Sequence, residues 1–151
     1  DLFRALAGGY SLSQFAFTAG TPEAGTAAFI IQCVVLLVAV LIQSVRFDGR
    51  LSFFAPIFYL LGMSVGASGH YTGLFAFALV LAINPVIPNP RMFLTAYGLL
   101  LLPFGFVFDA PLDLLGANAA LILLPPLLSL LSKRPLVIFT KKAKTAATPS
   151  A

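Results

Sequence analysis

The stretch LSFFAPIFYLLGMSVGASGHYTGLFAFALVLAINPVI, Leu51 to Ile87, contains no Lys, Arg, Asp or Glu and lies between Arg50 and Arg91. As one helix its roughly 37 residues would measure about 55 Å at 1.5 Å per residue. The hydrocarbon core of a bilayer is about 30 Å thick, so one span is too few and two just fit. The natural fold point is SGHYTG, Ser68 to Gly73. Arg50 and Arg91 fall on the same side whether the stretch crosses twice or dips in and returns. A re-entrant backbone needs protein around it, because lipid cannot satisfy its amides. Length favours two crossings.

The composition points to lipid for the rest of the chain as well. Of the 151 residues 60% are hydrophobic and 9% charged, against roughly 45–50% and about 25% in soluble proteins. Such a chain has too few charges to cover a water-facing globule. We therefore expect an all-α integral membrane bundle of about five spans, at 24–44, 51–68, 71–87, 92–108 and 112–131. Residues 1–23 read as an interfacial segment or the end of an upstream helix, and 133–151 as a basic cytoplasmic tail. Residue 1 is Asp, so the numbering is expected to start inside a longer or processed chain. The single Cys33 lies mid-span and can form no intrachain disulfide.

Charge sets the orientation. With the N-terminus outside and the C-terminus inside, the inner segments hold Arg46, Arg50, Arg91, Lys133, Arg134, Lys141, Lys142 and Lys144, and the outer ones only Arg4. That asymmetry is the positive-inside pattern. Lys133, Arg134, Lys141, Lys142 and Lys144 would meet anionic headgroups at about 1 kcal/mol per cation, with PLVIF, Pro135 to Phe139, lying in the interface between them. No nucleic-acid role follows from the net charge of +4, since the cations sit at the ends of apolar runs. The alanine- and glycine-rich spans lean towards a bacterial cytoplasmic (inner) membrane.

At the inner end of the third span stands NPVIPNPR, Asn84 to Arg91. Proline removes a donor and collides with the preceding turn, and the residue before it avoids helical geometry. The run is expected to end a helix, with its asparagines capping carbonyls or starting the turn. The sharper alternative is a broken helix forming a solute site.

Helices in lipid associate through small residues and polar contacts. Gly25, Ala28, Gln32, Ala39 and Gln43 make one such stripe. Gly62 and Gly66 form a close-approach pair whose face extends to Tyr59 and His70, and Gly98 and Gly105 share a face of the fourth span. Asp109 is expected to cap the last helix and Asp113 to complement its dipole.

Chemistry-bearing residues are sparse. Apart from Asp113 at the edge of the last one, no Asp, Glu, Lys or Arg lies inside a predicted span, where ion-coupled transporters and pumps usually keep one. There is no metal-ligand spacing, P-loop or dinucleotide fingerprint. Catalysis by this chain alone is not expected. The leading expectation is a non-catalytic subunit or scaffold packed among other membrane proteins. A second is a transport or channel component for a neutral or apolar solute, with Gln32, Asn84, Asn118 and Tyr59 supplying polar contacts. A third is haem or a chlorophyll-type pigment on His70, with Gly62 and Gly66 leaving room for a flat macrocycle.

Overall fold

In the computed structural model, residues 2–18, 22–47, 51–86 and 89–138 are described. The expected Asp48-Gly49 turn, Arg50, Lys141, Lys142 and Lys144 lie outside them. The described chain is mostly helical, in the order α1 (Leu2–Thr18), α2 (Pro22–Ser44), β1 (Val45–Phe47), β2 (Leu51–Phe54), α3 (Ile57–Ser68), α4 (His70–Ile83), α5 (Pro90–Val107), α6 (Leu112–Leu131) and β3 (Leu136–Val137). Among the described residues three helices are long and apolar enough to cross a membrane: Gly25–Ser44 within α2, Pro90–Val107 and Leu112–Leu131.

Among the described residues there are six helices, three of span length where five spans were expected: α3 and α4 are shorter, and α1 occupies the segment read as interfacial or as the end of an upstream helix. This segment packs along α3 in the same chain direction: Gly62 faces Leu2, Ala5 and Leu6, and Gly66 faces Leu6, Gly9 and Tyr10. The reason lies in α3, where the consecutive residues Leu60, Leu61, Gly62, Met63 and Ser64 are all buried. Burial of successive residues requires neighbours on every side of the helix, and α1 covers the side that α4, α5 and α6 leave open. Arg4 therefore belongs to a helix beside α3, at the depth of Gly62, and not to an outer loop.

The stretch from Leu51 to Ile87 folds at Gly69, whose φ of +92° suits a residue without a Cβ. Its helices are shorter than expected, α3 with 12 residues and α4 with 14, about 18 and 21 Å long. α4 stops early, at Ile83, and the length missing from α3 is at its start. Residues 51–54 form a strand, Pro56 stands at the helix N-cap, and Ala55 before it is steered away from helix.

That strand belongs to a small sheet the sequence did not announce. β2 pairs antiparallel with β1, Val45 opposite Phe53, and parallel with β3, Phe53 opposite Leu136. The Ala55 N–H donates to the Val137 carbonyl at 3.0 Å. Phe53 and Leu136 are buried in the same apolar cluster as Leu36, Val40, Leu94 and Tyr97. Leu136 and Val137 are thus paired strand, where an interfacial segment was expected.

Asp109 is a second correction. Its φ is +55° and the Ala110 N–H donates to the Gly105 carbonyl at 2.8 Å. It is the left-handed residue closing the C-terminus of α5, while Pro111 holds the N-cap of α6 and Asp113 lies in its first turn. The far end of α6 closes the same way. Lys133 has φ +52°, and Arg134 and Lys133 donate to the Ser129 and Leu130 carbonyls, each at 3.1 Å. Left-handed geometry costs an L-residue about 1–2 kcal/mol, and glycine's extra chain entropy returns part of it. Lys133→Gly is therefore expected to stabilise the fold by about 0.5–1 kcal/mol, read as a raised melting temperature in detergent.

Candidate functional site

Polar side chains gather inside the bundle, chiefly around α3. Ser64 and Ser68 are one turn apart, on the side of the helix away from Gly62 and Gly66. The Ser64 hydroxyl donates to the Leu61 carbonyl at 2.9 Å and shares a hydrogen bond with the Tyr97 hydroxyl of α5. Tyr97 also lies 3.4 Å from the Gly73 carbonyl of α4 and meets the Phe77 ring edge-on at 5.6 Å. One phenol thus ties three helices together. One turn up, the Asn118 carboxamide of α6 donates to the Ser68 hydroxyl at 2.5 Å.

Two carboxamides remain incompletely paired. Gln32 is 1% exposed and among the described residues neither its Oε1 nor its Nε2 has a hydrogen-bond partner; Asn118 is equally buried and its Oδ1 has none there. The buried stripe of α2 runs through Ala28, Gln32, Leu36, Val40 and Ser44. Gly25, Ala39 and Gln43 of the expected stripe are only half-buried, and no atom lies within 4 Å of a Cβ built on Gly25. Gly98 and Gly105 face α6, against Leu123 and Leu115.

His70 opens α4 at an exposed position and its ring lies 4.8 Å from that of Tyr71. The face of Gly62 and Gly66, read earlier as room for a macrocycle, is filled by the backbone of α1. Among the described residues no group of three or more His, Cys, Asp or Glu could hold a metal ion.

The opposite end of the bundle is cationic. Arg91, in the first turn of α5, donates through Nη2 to the Ser129 hydroxyl at 2.8 Å and the Arg134 carbonyl at 3.0 Å. Its charge therefore sits on the C-terminus of α6, where the helix dipole favours a cation. The Arg46 guanidinium lies 5.0 Å above the Phe54 ring, within cation–π range. Around these residues open an apolar cavity of about 240 Å³ bearing Asn84 and Asn89, and another of about 320 Å³ bearing Gln43, Arg46 and Tyr59. The proline-rich run thus ends one helix and precedes the next, as expected, with its residues 87 and 88 outside the described ones. Asn84 ends α4 and Asn89 starts α5 before Pro90, and both line a cavity. Of the four residues expected to contact a solute, Asn84 and Tyr59 lie beside separate cavities at this end, and Gln32 and Asn118 lie in the packed interior.

No protein-family model, curated protein or solved structure matches this chain.

Sequence inspection missed Gly9, Ser64, Ser68, Tyr97 and Ser129. Gly9 carried a signal, since it stands in a Gly8-Gly9 pair, but its partner Met63 is remote in sequence. The serines are too common in such chains to signal anything by themselves.

Proposed function

We propose that this chain is an integral membrane bundle serving as a non-catalytic packing subunit of a larger membrane assembly. The observation that carries the reading is the direction of its polarity. Large apolar side chains such as Ile30, Val34, Val38 and Ile42 point outwards, while Gln32, Ser64, Ser68, Asn118 and Ser129 are buried. Water would reward the reverse arrangement; lipid rewards this one. Most of those inner polar groups join one helix to another, which holds a bundle together. The cationic end, with Arg46, Arg91, Lys133 and Arg134, is the inner one by the positive-inside rule. Asp109 and Asp113 mark the outer end, in a bacterial cytoplasmic membrane.

The test is to wash native membranes with alkaline carbonate, then extract gently and weigh the intact particle by native mass spectrometry. A chain that resists the wash and emerges bound to other chains supports the reading. Release by carbonate removes the membrane part of it, and a bare monomer removes the subunit part.

The buried Gln32 carboxamide, without a hydrogen-bond partner among the described residues, favours one second reading, a pathway for a neutral solute. On that reading Gln32→Leu together with Asn84→Leu abolishes uptake, and undiminished uptake eliminates it.

A further inference from the structure

We propose that the groove between α5 and α6 at the cationic end holds an acyl chain of an anionic phospholipid, with its phosphate on Arg91. The proposal rests on the membrane reading above. Arg91 and Thr95 on α5 and Leu123, Pro126, Leu127 and Leu130 on α6 line an opening of about 290 Å³. The α6 residues recur at helical spacing and share one face. Leu127 and Leu130 are 50% and 59% exposed, so the groove opens outwards, towards lipid, and not into the bundle.

The polar groups of the groove stand together at its end. The Thr95 hydroxyl is satisfied within α5, donating to the Arg91 carbonyl at 2.9 Å, and the α6 wall of Leu123, Pro126, Leu127 and Leu130 is aliphatic. A neutral polar solute finds no partner along that wall, whereas a hydrocarbon chain needs none. At the mouth, the guanidinium of Arg91 is held by Ser129 and the Arg134 carbonyl through Nη2. Its Nη1 and Nε engage nothing among the described residues. A guanidinium fixed in place with free donors is organised in advance for a phosphate.

Charge decides which phospholipid. Lys133 and Arg134 stand just beyond Leu131 and Ser132 at this end, while Asp109 and Asp113 lie at the other end of the same two helices. A zwitterionic headgroup would bring its own cation into this cluster; an anionic headgroup brings none.

The experiment is native mass spectrometry of the full chain in detergent. The chain is incubated with phosphatidylglycerol, with phosphatidylcholine of the same acyl chains, or with glycerophosphate. We expect one phosphatidylglycerol to be retained about tenfold more than phosphatidylcholine, equivalent to about 1.4 kcal/mol, and glycerophosphate not to be retained. Leu127→Trp, a filling substitution at a half-exposed position, is expected to lower that retention about tenfold while leaving the lipid-free melting temperature unchanged. Arg91→Lys keeps a cation but loses the fork, and is expected to lose part of the preference for phosphatidylglycerol. Equal retention of both lipids, retention unaffected by Leu127→Trp, or retention of glycerophosphate would each overturn the proposal. Failure of the membrane reading shows itself separately, as release of the chain by carbonate before any lipid is added.

Discussion

Gly66→Leu is expected to separate α1 from α3 and to cost more than about 3 kcal/mol, at or beyond the upper end for overpacking. A Cβ at this position would stand 2.5 Å from the Leu6 carbonyl oxygen, 2.8 Å from the Tyr10 nitrogen and 3.2 Å from the Gly9 carbonyl carbon. All three are backbone atoms, so no rotamer change makes room and a helix has to move. Gly62 is equally closed, with the Leu2 carbonyl, the Ala5 Cβ and the Leu6 nitrogen in the way. The control is Gly116 on α6, where nothing lies within 4 Å of an added Cβ. There Gly116→Ala should stabilise, by up to about 1 kcal/mol from helix propensity. Thermal melts in one detergent compare the three proteins. A Gly66→Leu variant that melts with the parent would remove the close α1–α3 contact from this account.

Tyr97→Ala is expected to cost about 3–5 kcal/mol, the usual range for emptying a large buried aromatic site. Tyr97 is fully buried, packs against Phe77 and touches groups on α3 and α4 at once. Its ring and its hydroxyl can be separated. Tyr97→Phe keeps the ring and should cost no more than about 1–2 kcal/mol, in line with hydrogen bonds between membrane helices. The Ser64 hydroxyl keeps the Leu61 carbonyl as acceptor in that variant. Equal losses for the two variants would place the stabilisation in the hydroxyl and contradict the packing argument.

Such contacts show where legibility ended. Gly62 and Gly66 were readable as a close-approach face because small residues four apart are a local pattern. The helix filling that face was not, because the seventeen residues of α1 carry glycines and hydroxyls that blur their apolar pattern. The break at Asn84 to Arg91 was readable from proline stereochemistry alone. The cavity beside it was not, since Ile57, Phe77 and Ile138 come from three distant parts of the chain. The sheet was hidden for a related reason: strands of three, four and two residues are too short to show an alternation, and β3 reaches β2 from across the fold.

Local chemistry by itself determined the helical character, a fold point within Ser68 to Gly73 and the gathering of cations at one end. Each follows from neighbouring residues: uncharged runs, a glycine, arginines at the ends of runs. Tertiary structure alone decided that α1 closes α3, that Tyr97 joins three helices, that Asp109 ends α5 instead of starting α6, and that Arg91 secures the end of α6. Those outcomes depend on which backbone can come within contact distance of which, and on which buried donor finds an acceptor. Both are properties of the packed chain that no single segment carries.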